Sequence, residues 1–202
     1  MMLQEKPSRM GFLLAGGRSS RMGMDKALLD FGGLTLIERA LGVLRAACPA
    51  VAIVCEDARF SAYGTVVEDV YSGCGPLAGI HAALLHSSAE LNLVLAVDMP
   101  YVSESLLRFL FATAERGDAL VTVPRTVRGF QPLCAVYRRP FAAAADRALR
   151  AGQNKVDALF STVPTRMVEA SELQAAGFSD RVFVNLNTPA DLQEILPGSI
   201  PS

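Results

Sequence analysis

Several familiar signatures are missing from this sequence, and each absence removes a class of function. The four cysteines, Cys48, Cys55, Cys74 and Cys134, form no C-x-x-C pair, and no histidine stands at metal-ligand spacing beside them. A zinc site or a disulfide framework is therefore not expected, and free thiols in a reducing compartment are. An excess of charge of one sign is missing too. Nineteen Lys and Arg against twenty Asp and Glu leave a net charge of −1 over 202 residues. That balance denies the broad basic face that non-specific nucleic-acid binding requires. Long hydrophobic runs are also lacking. Phe12–Ala15 is cut short by glycine and cannot form the core of a secretory signal. No run approaches the ~20 apolar residues that span a bilayer. The expectation is a cytoplasmic protein that engages neither membrane nor nucleic acid.

What remains is an ordinary globular composition, 51% apolar and 19% charged, in a length that suits one domain over 1–202. Short apolar or β-branched runs alternate with longer helical stretches, the pattern of a layered α/β fold. Strands are expected at Gly11–Ala15, Val51–Cys55, Thr65–Glu68, Leu93–Val97, Ala119–Val123 and Leu133–Tyr137. Thr35 can cap a helix that carries Leu36, Ile37, Ala40, Leu41 and Leu44 on one face. Further helices are expected at Pro76–His86, after Ser103, at Phe141–Leu149, and at Asp191–Leu196 behind Asn187-Thr188-Pro189. Several strands read as continuous apolar runs, which favours a mainly parallel sheet covered on both faces. Ligands of such sheets gather at the carboxyl ends of the strands.

The loop after the first strand, in LLAGGRSSRMGMDKALL, is rich in glycine and in cations. Gly16 and Gly17 allow close backbone approach to a ligand, and successive N–H groups in such a turn form an anion-binding concavity. Arg18, Arg21 and Lys26 add charge, with Arg21 and Lys26 the two best placed to fold back over the strand end. The loop is neither a P-loop, since Met24 follows Gly23, nor a G-x-G-x-x-G fingerprint, since its glycines are adjacent. The alternative is a solvated loop with ordinary surface cations.

Two carboxylates follow strands directly: Asp69, and Asp98 in LNLVLAVDMP. Pro100 stiffens the turn at Asp98, and Mg²⁺ prefers one or two carboxylates with phosphate oxygens and water. Asp98 is thus the best metal ligand in the chain, the alternative being a simple turn cap. Between them, SGCGPLAGI places Gly75 and Gly79 about a helix start whose N–H groups could meet a nucleobase edge or a phosphate. His81 and His86 lie five apart, off ligand spacing, and read as packing or surface positions.

Taken together, these stretches resemble the molybdenum cofactor guanylyltransferase family, within the GT-A-like Rossmann nucleotidyltransferases. LLAGGRSSRMGMDKALL looks like the family's nucleotide loop, VVEDVYSGCGPLAGI its second segment and AVDMPYVSESLL its metal segment, with GFQPLCAVY and FVNLNTPADL following. The resemblance implies a three-layer α/β/α fold with a mostly parallel mixed sheet, nucleotide-binding in its N-terminal part and pterin-binding in its C-terminal part. It implies that Leu14, Ala15 and Gly16 contact the guanine nucleotide through their backbone and that Gly17 shapes the loop. Arg21 and Lys26 would bind phosphates, Asp69 the guanosine portion, and Asp98 Mg²⁺ and nucleotide. Asn185 and Asn187 match positions on the pterin side. Three positions depart from the family pattern: Cys55 stands where Asn is frequent, Gln131 where some members carry His, and Val97 where Cys is frequent.

The implied reaction transfers GMP from GTP to the terminal phosphate of molybdenum-molybdopterin. Transient contacts with other cofactor-biosynthesis proteins or apo-molybdoenzymes would accompany it. The same loop would serve a molybdopterin cytidylyltransferase or a sugar-phosphate nucleotidyltransferase. A non-catalytic pterin carrier is the alternative from another class.

Overall fold

The computed structural model describes residues 9–16, 25–56 and 58–186. One mixed sheet carries eight strands: β1 (Arg9–Leu14), β2 (Val51–Val54), β3 (Thr65–Val67), β4 (Leu91–Ala96), β5 (Val121–Thr126), β6 (Gly129–Phe130), β7 (Cys134–Arg138) and β8 (Thr165–Glu169). Their order is β3-β2-β1-β4-β7-β5-β6, with β8 on β5. The β3-β2-β1-β4 half is parallel throughout. β7 then runs against both β4 and β5, so β5 points the same way as β4, and β8 runs parallel to β5.

The sheet is buried on both faces because its central strands have no polar face to offer. In β1, Leu13 enters one apolar cluster while Phe12 and Leu14 enter the other. β4 divides likewise, Leu93 and Leu95 against Val94. Side chains alternate along a strand, so an unbroken apolar run needs cover on both sides. Helices α1 (Leu36–Ala47), α3 (Glu104–Ala114) and α5 (Ala170–Ala175) cover one face; α2 (Pro76–His86) and α4 (Phe141–Arg150) cover the other. Among the described residues no helix is long and apolar enough to cross a membrane.

The helices start where local chemistry dictates. Thr35 and Glu38 form a capping box on α1, with the Thr35 N–H donating to Glu38 Oε2 at 2.8 Å and the Glu38 N–H to Thr35 Oγ1 at 3.4 Å. Pro76 opens α2, where its missing N–H costs nothing. Ser103 caps α3 by accepting from the Leu106 N–H. The helix expected at Asp191–Leu196 lies outside the described residues.

Some boundaries differ from the sequence reading. The fifth expected strand, Ala119–Val123, instead runs from Val121 to Thr126, straight through Pro124. Pairing with β7 stops at Thr122, so the proline has no ladder partner to deprive on that side. Its carbonyl accepts from the Gln131 N–H at 2.9 Å. Strands β6 and β8 and helix α5 were not foreseen.

Helix α2 lies tight against the sheet at Gly79. A Cβ there would stand 3.1 Å from Leu14 Cδ2 and 3.6 Å from Val54 Cγ1. Gly79→Val should therefore lower stability by about 1–3 kcal/mol through overpacking, read as a lower urea midpoint. An unchanged midpoint would show that the contact is loose.

Candidate active site

The parallel half of the sheet ends in register. Leu14 pairs with both Val54 and Ala96, and Val54 with Val67. Each ladder extends one residue further: the Ala15 N–H donates to Val54 O, the Cys55 N–H to Val67 O and the Val97 N–H to Leu14 O. The second residue past each strand is then Asp69, Glu56, Gly16 and Asp98, in that order across β3, β2, β1 and β4. Adjacent strands lie ~4.8 Å apart, so the row spans ~14 Å. Its one position without a side chain, Gly16, leaves a gap in the middle.

That gap opens into a cleft of ≈ 600 Å³. Of the expected site residues, Leu14, Ala15, Gly16, Lys26, Asp69, Gly75, Asp98 and Asn185 all line it. Gly17, Arg21 and Asn187 lie outside the described residues. Glu56, Asp25, Gly73 and Leu133 also line the cleft and were not singled out from the sequence. For Glu56 the signal existed in the sequence, since it follows the expected strand Val51–Cys55 as directly as Asp98 follows Leu93–Val97.

Lys26 and Asp98 meet at one end of the row. Nζ lies 2.8 Å from Asp98 Oδ2, with the two side chains 13% and 21% exposed, so the pair is largely withdrawn from water. Asp25 holds the lysine in place. Its Oδ1 accepts from the Ala27 N–H at 3.1 Å, capping the short 3₁₀ turn Lys26–Leu28, and its Oδ2 pairs with Arg59 Nη1 at 2.7 Å. A segment late in the chain braces the aspartate. The Leu186 N–H donates to Asp98 O at 2.9 Å, while the Leu186 side chain packs with Phe31 and Leu36. The same strap brings Asn185 to the cleft.

Asp69 and the loop after it form the other end. Gly73 and Gly75, with φ of +71° and +73°, take the left-handed backbone that glycine alone adopts without strain. Tyr71 Oη ties the loop to α4 by donating to Asp146 Oδ1 at 2.6 Å, and Arg150 Nε donates to Asp146 Oδ2 at 2.9 Å. His81, buried beside Tyr71, has Nε2 3.9 Å from Asp146 Oδ1. Burial holds its imidazole below the usual range, so it serves packing rather than charge. His86 is exposed at the end of α2.

Asp98 Oδ1 and Asp69 Oδ1 are both buried, and neither finds a hydrogen-bond donor among the described residues. Buried carboxylate oxygens without partners are costly and point to a ligand. The described lining contains four carboxylates, Asp25, Glu56, Asp69 and Asp98, against one ammonium, Lys26. An anionic ligand would need a cation to enter beside Asp98. One carboxylate oxygen suits a hard divalent ion that takes its other ligands from phosphate and water, and no group of three or more His, Cys, Asp or Glu forms a dedicated cage among the described residues. Burial pushes the Cys48 and Cys134 thiols up to about 12, which keeps both out of thiolate chemistry.

Residues 11–156 match the family of the MobA-like NTP transferase domain. A probable molybdenum cofactor guanylyltransferase from Pelotomaculum thermopropionicum is 40% identical over 184 residues, covering 90% of this chain and 89% of the relative. Its counterpart from Methanosarcina mazei is 34% identical, covering 96% and 92%. Among solved structures, molybdopterin-guanine dinucleotide biosynthesis protein A from Archaeoglobus fulgidus aligns with a TM-score of 0.78 at 28% identity, over 92% of this chain and 95% of that one.

Burial first, and then the nearby Glu56 charge, raise the Asp69 carboxyl above the ordinary range. A raised folded-state value means that the ionised group destabilises the fold at neutral pH and ceases to do so below the unfolded value. Asp69→Asn should accordingly raise the urea midpoint at pH 7, and the gain should shrink as pH falls into the ordinary carboxylate range. A midpoint that drops at pH 7 would contradict this.

Proposed function

The chain belongs to the MobA-like NTP transferase family, and from that premise we propose that it transfers GMP from GTP to the terminal phosphate of molybdenum-molybdopterin, releasing pyrophosphate. The observation that carries the reading is the Lys26–Asp98 pair, 2.8 Å apart in a cleft that Gly16 also lines. The kinship with guanylyltransferases over most of the chain selects the guanylyl reaction among those this cleft can host.

The chemistry asks for positioning more than for a protein nucleophile. A phosphate monoester is already ionised at neutral pH and attacks the α-phosphorus directly, while the bond to pyrophosphate breaks. The obstacle is repulsion between two anions. Lys26 turns its ammonium from Asp98 toward phosphate oxygens, offsetting charge that grows on the leaving group. The backbone at Leu14, Ala15 and Gly16 lets the nucleotide lie against the sheet edge with no side chain between them. Asp98 Oδ1 is the oxygen that would hold Mg²⁺, which when bound neutralises phosphate charge. Asp69 and the Gly73–Gly75 turn receive the nucleoside end.

Asn185, which lines the cleft next to Leu186, is the residue we assign to the pterin side. Arg21 and Gly17 are assigned to phosphate and loop by the glycine and cation pattern together with the family resemblance, and Asn187 to the pterin by the resemblance alone. On this reading residues 1–202 act as one nucleotidyltransferase domain of the cytoplasm, and the finished cofactor passes to molybdoenzymes by transient contact.

Pyrophosphate release from GTP, measured with molybdopterin and Mg²⁺, tests the proposal. Asp98→Ala and Lys26→Ala should each lower turnover by about 10²–10³ with the fold intact, as loss of one preorganised electrostatic partner does. A preference for CTP would overturn the guanylyl assignment, and near-normal turnover by Asp98→Ala would remove that residue from the metal role.

A further inference from the structure

We propose that Glu56 selects the base, accepting hydrogen bonds from the Watson–Crick edge of guanine where it meets Asp69. The inference rests on the nucleotidyl-transfer reading and adds a specificity residue to it.

The argument begins with the row at the sheet edge. Lys26 and Asp98 occupy the β4 end, where charge neutralisation belongs, so the nucleoside extends toward β3. Glu56 stands between Gly16 and Asp69 in that row. It is exposed, yet it is not a loose surface side chain. Its Oε1 accepts from Ser72 Oγ and from the Gly73 N–H, both at 3.2 Å, which pins the carboxylate to the loop that walls the cleft. Both bonds fall on Oε1, and Oε2 receives no donor from the described residues. Beside it, Asp69 Oδ1 is buried and also without a donor.

The nucleoside end of the cleft thus presents two acceptors from two carboxylates. Guanine answers that pattern with two adjacent donors, N1–H and the 2-amino group. Adenine and cytosine place a ring nitrogen acceptor next to their single amino donor, and uracil sets one N–H between carbonyls. Each would aim a lone pair at a carboxylate. The carboxylates select by repulsion of the wrong edge as well as by charge-assisted bonds to the right one.

Inosine triphosphate separates these contributions, because it differs from GTP only in lacking the 2-amino group. Equilibrium binding of GTP, ITP and CTP to the full chain with Mg²⁺ should show GTP bound about tenfold or more tighter than ITP, the range of a hydrogen bond to a charged group. Glu56→Ala should bring that ratio close to one. The near-isosteric Glu56→Gln, which loses the charge and one acceptor, should also reduce it. A wild type that binds GTP and ITP equally, or either variant keeping the wild-type ratio, overturns the assignment of Glu56. Guanylyl transfer by a wild type whose Glu56 variants keep the ratio would overturn this inference alone. A wild type that prefers CTP overturns both.

Discussion

The contact between Lys26 and Asp98 ties the architecture of this protein to its chemistry. The two residues are far apart in sequence and meet only because β1 and β4 are neighbours. Asp25 caps the turn that carries the lysine, and Leu186 braces the turn that carries the aspartate. Without ligand, each charge satisfies the other in a place largely shielded from water. On the proposed reading a nucleotide would separate that pair, its phosphates taking up the ammonium and a divalent cation taking up the carboxylate.

The remainder of the site follows from strand register. Four parallel strands stop at matching positions, so residues with no sequence relation line up as a row of acid, acid, gap and acid. The gap is glycine. Its hypothetical Cβ would meet Cys55 Cα at 3.6 Å, an ordinary contact, so packing among the described residues does not demand glycine there. The space serves whatever lies in the cleft. Parallel sheets collect ligands at this edge because every loop leaving it can contribute at once.

Much of this was legible beforehand, for physical reasons that can be named. β1 and β4 hold the apolar runs Gly11–Leu14 and Leu93–Ala96, and α1 carries both a capping hydroxyl and an apolar stripe. Asp98 stood out because a carboxylate after a buried strand, locked by proline, has few structural excuses. β8 was not legible: of its five residues only Val168 is buried, so no periodic signal marks it. α5, with six residues, is too short to show one. The extension of β5 through Pro124 contradicts a local rule, and tertiary pairing decides it. Glu56 carried the same signal as Asp69 and Asp98, a carboxylate directly after an expected strand, and what the sequence did not contain was its place in one row with them. Spacing removed His81 and His86 from a metal role and left them packing or surface positions, and only burial separates the two, His81 being buried and His86 exposed.

The most direct measurement is a crystal structure of the protein with a non-hydrolysable GTP analogue and Mn²⁺ in place of Mg²⁺. The account predicts Lys26 Nζ on a phosphate oxygen, the metal on Asp98 Oδ1 and the base against Asp69 and Glu56. An intact Lys26–Asp98 bond with the triphosphate bound elsewhere would contradict it.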